Sequence, residues 1–286
     1  MVEGGVRFFL VGFGTKMGLA PMHTWLPDAH SEAPSAVSAL LSGAMPNVAF
    51  IALLRVHQIC AAAGLGDFSG GLLAGFGLLS VGIAALFLLG TTDYKRLLAY
   101  SSIEHMGLLA LGLGAGAAGL AATLFHAVNH SLTKCALFLM AGRILDATGT
   151  KRIADVRGLS RALPATSAVW LIGLFAISGA PPFGTFFSEL QIFQAVFGTG
   201  HGGLGLVTLL LLLLLLSMAS AGLIRAGLRM MAGDETSDVT APTGQWLSPW
   251  ADLAPAIILL AVVALLGMRL PAFLSGAFRG LAGGLP

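Results

Sequence analysis

Long apolar runs separated by short polar stretches make up most of the 286-residue chain. A helix needs about 20 consecutive apolar residues to cross a hydrocarbon core. On that scale the pattern predicts eight spans, near 5–20, 34–61, 70–91, 94–116, 118–145, 164–199, 203–231 and 250–269. The expected architecture is an all-α integral membrane bundle. Connections are short, and the two longer polar loops, Asp146–Pro164 and Gly233–Gln245, leave no room for a separate soluble domain, so the chain reads as one membrane domain.

Two of the spans are interrupted. The first runs into Pro21 and Pro27, and the sixth holds Ser178-Gly179-Ala180-Pro181-Pro182-Phe183-Gly184 at mid-membrane. Proline lacks an amide donor and clashes with the preceding turn, and freed backbone groups at membrane depth must be satisfied by protein or by a wet cavity. An ordinary proline kink is the plainer reading; two adjacent prolines flanked by glycines favour a true opening.

Composition sharpens this picture. The chain is 56% hydrophobic and only 10% charged, against roughly 25% charged in soluble domains, and its mean hydropathy is +0.89, which excludes a water-soluble globular fold. Net charge is +2 from 15 Lys+Arg and 13 Asp+Glu. Most basic groups sit between apolar runs, which argues against nucleic-acid binding. Cys60 and Cys135 are too few and too far apart for a haem attachment motif, an iron–sulfur cluster or a zinc site. No cofactor or metal is expected in this chain, so any redox chemistry it serves belongs to other polypeptides. Met1–Gly5 lacks a basic n-region and no small-residue cleavage site follows, so no secretory signal is read and insertion rests on the later spans.

Basic residues also set an orientation. Lys95, Arg96, Arg143, Lys151, Arg152, Arg157, Arg161, Arg225 and Arg229 flank spans on one side, and Arg7, Arg55, Arg269 and Arg279 on the other. The richer side is expected to be cytoplasmic, with the loop Met22–Ala33 on that side, both chain ends outside, and the protein multi-pass in the inner (plasma) membrane.

Ionisable groups inside the spans carry the candidate chemistry, because an ion at the centre of a membrane helix costs roughly 2.5–3.5 kcal/mol on insertion scales. Lys16 lies beside the first break, where it either takes part or snorkels to the interface. Thr91-Thr92-Asp93 can cap the fourth span, which brings Ser101, Ser102, Glu104 and His105 inward; Glu104 stands about 18 Å along the helix, near the midplane. A neutral, hydrogen-bonded acid is the alternative for Glu104, and His105 could simply be its partner. His126, His130 and Lys134 fall at i, i+4 and i+8, about 6 Å apart along one helix face, with Asn129 beside them. Histidine titrates near neutral pH and a desolvated lysine can lose its proton, so this stripe suits proton relay; a structural network is the alternative. The third member is a lysine, which weighs against a metal face. Glu189 follows the second break seven residues past Pro182, either ending a wet path or meeting headgroups. His23, Asp28, His30 and Glu32 superficially suggest a metal site, but Trp25 beside Pro27 fits an interfacial corner better.

At these positions the sequence resembles the antiporter-like proton-pumping subunits shared by respiratory complex I, Mrp cation/proton antiporters and group 4 hydrogenases. The matching blocks are GTKMGLAPMHTWLPDAHSEAPSAVSALLSG at 14–43, DYKRLLAYSSIEHMG at 93–107, FHAVNHSLTKCALFLMAG at 125–142 and SGAPPFGTFFSEL at 178–190. HTWLPDAHSEAP with YSSIEHMG is most similar to the hydrogenase 4 F-subunit branch. The resemblance implies the last eight helices of a fourteen-helix subunit built from two inverted repeats. Residues 1–61 would be the remainder of the first repeat, 62–231 the second, and 232–286 a C-terminal loop and last helix. It places Lys16 as the lysine of the first broken helix, His126, His130 and Lys134 as the central relay, and Glu189 as the group on the second broken helix. It also implies that the chain is truncated at its N-terminus relative to that subunit, and that Lys16 lacks a paired glutamate; many relatives carry a lysine where this sequence has Asn47.

The function so implied is proton translocation by a non-catalytic subunit, driven by other membrane subunits and the redox arm of a hydrogenase or NADH dehydrogenase-like complex. Like charges on Lys16 and Lys134 would then oppose each other's protonation. An Mrp-type antiporter subunit working without redox input and a non-conducting scaffold are the alternatives.

Overall fold

The computed structural model describes residues 2–199, 203–233 and 249–282. Those residues form α1 (Val2–Met17), α2 (Trp25–Glu32), α3 (Ser35–Gly43), α4 (Met45–Ala62), α5 (Gly66–Gly90), α6 (Tyr94–Gly114) and α7 (Gly116–Thr148). They continue as α8 (Leu159–Ala162), α9 (Pro164–Ile177), α10 (Gly184–Thr199), α11 (Gly203–Met231), α12 (Pro249–Met268) and α13 (Ala272–Ala282). Most of the second polar loop, residues 234–248, lies outside the described residues.

The all-helical expectation is met; the predicted spans are less uniform than the apolar runs suggest. Among the described residues, five segments are long and apolar enough to cross a membrane: Ser35–Ala62, Gly66–Gly90, Tyr94–Gly114, Leu204–Met231 and Ala251–Met268. The first of these is two helices, α3 and α4, joined at Ala44, and the other expected spans are shorter or more polar pieces. α1 has 16 residues, the sixth span divides into α9 and α10, and the 33-residue α7 carries the polar stripe. The segment read as the loop Met22–Ala33 contains the helix α2, and α13 was not foreseen.

The least apolar of the five segments is the most enclosed. Of the spanning window of α6, 89% is buried, against 28% for α11 and α12, whose leucines face outward. With lipid as solvent, burial selects close packing and polar partnership more than hydrophobicity. α5 meets α6 through Gly77 and Gly107: a Cβ on either would stand 2.7 Å from the other's carbonyl oxygen, so only glycine lets the backbones approach so closely. Tyr94, Phe138 and Trp170 belong to the largest apolar cluster, at the end of the bundle where α6 begins.

The helix is interrupted at both places, and protein groups meet several of the freed backbone groups. At the first, the Trp25 indole donates to Thr15 O at 2.7 Å and the Ala20 amide donates to Ser80 Oγ at 2.8 Å. At the second, Thr185 donates to Ala176 O, and the Ala180 amide returns to Phe175 O at 3.1 Å. Protein groups thus do the satisfying that membrane depth demands.

Basic residues gather as their flanking positions predict. Lys151 and Arg152 lie beside Thr92–Tyr94 through backbone hydrogen bonds, and Arg96 pairs with Asp28. Lys95 donates to Ala33 O at 2.6 Å, a cation at the carbonyl end of α2. Lys151 reaches Glu32 at 2.9 Å, and its ammonium holds the exposed Glu32 carboxyl below the usual carboxylate range.

Candidate functional site

A row of polar side chains runs through the middle of the bundle, on α6, α7 and α10. Asp93 caps α6, its carboxylate accepting from the amides of Lys95 at 2.7 Å and Arg96 at 3.1 Å. From that start, Ser101 and His105 fall four residues apart on one face. α7 runs antiparallel to α6, so Lys134 meets Ser101 while His126, two turns away, meets His105.

Lys134 is fully buried and donates to Leu98 O at 2.7 Å and to Ser101 Oγ. Two turns on, His105 Nδ1 and His126 Nε2 stand 2.9 Å apart. The other nitrogen of His126, Nδ1, is 2.9 Å from Ser188 Oγ on α10. Glu189 Oε1 lies 3.9 Å from His105 Nδ1. His130 sits between the two rungs, its ring centroid 5.3 Å from that of His105, and neither of its nitrogens has a protein partner. Asn129, one residue before it, donates to Phe125 O at 2.9 Å, and its Oδ1 is also without a partner. Buried polar atoms left over in this way are ordinarily met by ordered water.

His126, His130 and Lys134 follow one another along α7, and all three are fully buried. Glu189 is 8% exposed and points back to the second break, where its carboxylate abuts Gly179; the positive φ of 67° there suits glycine. Pro181 and Pro182 lie between α9 and α10, and Pro21 lies between α1 and α2. Glu104 is buried with Oε2 unpartnered, within electrostatic reach of both Lys134 and Glu189. Lys16 is different: it occupies an exposed position in the last turn of α1, outside the row, and among the described residues it has no hydrogen bond or ion pair.

Two residues matter more than their sequence context suggests. His105, readable as a mere partner of Glu104, instead joins α6 to α7 and α10. His30, in the segment that superficially suggested metal binding, is buried on α2, stacks on Phe138 at 5.1 Å, and lies within electrostatic reach of Lys134. The signal for His30 was the spacing that puts it on the inner face of a helix, and a segment read as a loop concealed it. The carboxylates of that segment turn the other way, Asp28 to Arg96 and Glu32 to Lys151, so the four groups do not converge. Asn47, on α4, donates to Gly43 O at 3.0 Å and to Ser131, tying the α3–α4 joint to α7.

Among the described residues, His105, His126 and Glu189 offer ligand atoms within 4.8 Å of one another. A tetrahedral ion bound at 2.0–2.1 Å would hold two nitrogens roughly 3.3 Å apart. The 2.9 Å separation seen here is the spacing of a shared proton.

A family profile described as NADH:quinone oxidoreductase/Mrp antiporter, transmembrane, matches residues 1–221. The hydrogenase-4 component F homolog of Methylacidiphilum infernorum is 45% identical over 199 residues, which is 69% of this chain and 42% of that protein. Hydrogenase-4 component B of Escherichia coli is 38% identical over 199 residues, covering 65% of this chain and 30% of the relative. In solved structures, a chain of respiratory complex I from Thermus thermophilus superposes with a TM-score of 0.83 at 26% identity, over 98% of this chain and 58% of that one. The chain thus spans less than half the length of these two curated relatives.

Proposed function

The chain belongs to the NADH:quinone oxidoreductase/Mrp antiporter transmembrane family, and from that premise we propose that it moves protons as one membrane subunit of a hydrogenase or NADH dehydrogenase-like complex. The bundle sits in the inner membrane with its basic end toward the cytoplasm and crosses it in eight spans, two of them broken. Other membrane subunits and a redox arm supply the energy, and this chain contributes no cofactor of its own.

The observation that carries the reading is the contact of His105 Nδ1 with His126 Nε2 at 2.9 Å, prolonged by Ser188 on one side and flanked by Glu189. Two imidazoles bonded to each other can hold one proton between them and pass it on by exchanging donor and acceptor roles. Lys134 stores a proton at one end, its ammonium oriented by Leu98 O and Ser101. His130, about 6 Å along the helix, connects Lys134 to the imidazole pair through water on its unpartnered nitrogens. Glu189 takes the proton beside the break in the sixth span, where the carboxylate touches the opening. Glu104 lies within electrostatic reach of both Lys134 and Glu189 and flanks the row. Lys16 stays outside this row, as a cation on the outer side of the first break.

In the assembled complex, His105→Leu and His126→Leu should each abolish donor-driven acidification of inverted vesicles while electron transfer to an artificial acceptor continues. Full acidification by either variant overturns the assignment. Sodium-dependent antiport in the same vesicles without an electron donor would point to the Mrp-type alternative.

A further inference from the structure

One surface feature lies outside the proton row altogether. Where α5 and α11 end together, a pocket of about 520 Å³ opens between them, bordered by Arg157, Arg225, Arg229, Thr91 and Thr92. Apolar residues including Leu88, Gly222 and Ala226 also line it, and among the described residues no carboxylate borders it. All three arginines are exposed, and among the described residues none of them is in an ion pair.

The same two helices carry a second groove of about 530 Å³, lined wholly by apolar residues such as Leu79, Gly82, Leu86, Leu211 and Leu215. The two lie along the same pair of helices. On α5 the groove positions 75, 79, 82 and 86 continue at 89–90 in the first pocket, and on α11 positions 211 and 215 continue at 222, 226 and 229. Steps of three, four and seven keep to one helix face. An apolar groove thus lies along the same two helices whose ends carry the three arginines. At Gly82, on the groove wall, a Cβ would meet only Leu215, at 3.8 Å, so a larger side chain there would project into the groove.

We infer that the pocket and the groove together bind an anionic phospholipid, the phosphate held by Arg157, Arg225 and Arg229 and one acyl chain lying between α5 and α11. Guanidinium forks match phosphate oxygens, and basic pockets between membrane helices suit anionic headgroups. The apolar continuation selects a lipid over free phosphate. The reading requires membrane insertion and stands whether or not the central row moves protons.

The test is native mass spectrometry of the full chain, extracted with its bound subunits and offered phosphatidylglycerol or phosphatidylcholine of identical acyl chains. Each arginine near the headgroup contributes roughly a factor of five, so the wild type should retain phosphatidylglycerol about a hundredfold better. Arg157→Gln/Arg225→Gln/Arg229→Gln should remove that preference without changing the melting temperature, and Arg225→Gln alone should lower it about fivefold. Gly82→Leu should reduce retention of both lipids while leaving the preference between them. Equal retention of the two lipids by the wild type, or an unchanged preference in the triple variant, overturns the inference. Displacement of the lipid by inorganic phosphate together with full retention by Gly82→Leu overturns it in favour of a free-anion site. Asp234, Glu235 and Asp238 follow the pocket in sequence. If a preference appears only when these three are neutralised to Asn, Gln and Asn, the chain's own acidic segment is the occupant and the lipid reading falls.

Discussion

Replacing Lys134 by methionine separates a proton-carrying lysine from a merely structural one. Its ammonium is fully enclosed and donates to Leu98 O and Ser101 Oγ. Removing the charge relieves a burial cost of roughly 2.5–3.5 kcal/mol. It also forfeits two hydrogen bonds from a charged donor, about 1.5–3 kcal/mol each. At the middle of both ranges the net loss is about 1.5 kcal/mol. Leu98 O keeps the Ser101 and Ser102 hydroxyls as donors at 3.1 and 3.2 Å, so no acceptor is orphaned, and methionine's flexible chain fills the lysine's space. Melting of the purified protein should fall by about 3–5 °C. Donor-driven proton uptake by inverted vesicles, normalised to folded protein, should fall to background. Wild-type uptake by Lys134→Met would refute the storage role outright. A collapse in stability with uptake per folded molecule preserved would make Lys134 an architectural residue.

Further tests follow from the geometry around the row. Gly179→Ala forces a left-handed backbone on a side chain, at a cost of about 1–2 kcal/mol, and drives its Cβ into the Glu189 carboxylate; proton uptake should slow, and an unchanged rate would place Glu189 off the route. Arg143→Met strips the partner from Asp252, 3.0 Å away between α7 and α12; losing one half of a buried pair costs about 3–5 kcal/mol, and Asp252→Asn in the same chain should restore much of the melting temperature. Glu32, lowered by Lys151, contributes stability that is present above the unfolded carboxylate pKa and lost as pH falls through the lower folded value. Wild type and Glu32→Gln should therefore differ slightly near neutral pH, in a salt-sensitive way, and coincide in strong acid; a difference that persists there would rule out the ion pair as its source.

The features legible along the chain are those that depend on local order within one helix. Apolar run length gave the all-helical membrane class, the doubled proline flanked by glycines gave the break between α9 and α10, and the fourfold spacing of His126, His130 and Lys134 gave a polar face, because rise and twist are fixed by the backbone alone. What that face meets was set by how the helices pack. The antiparallel setting of α6 against α7 makes His105 rather than Glu104 the bridge to His126, and the folding of residues 25–32 as a helix turns His30 inward and Asp28 and Glu32 outward. Hydropathy could not rank the helices by depth: the segment richest in polar groups, α6, is the most enclosed. Where lipid is the solvent, a leucine gains nothing by hiding from it, whereas a serine, a histidine or a lysine must find a partner in protein, so partnership across helices and not apolarity along them set the interior.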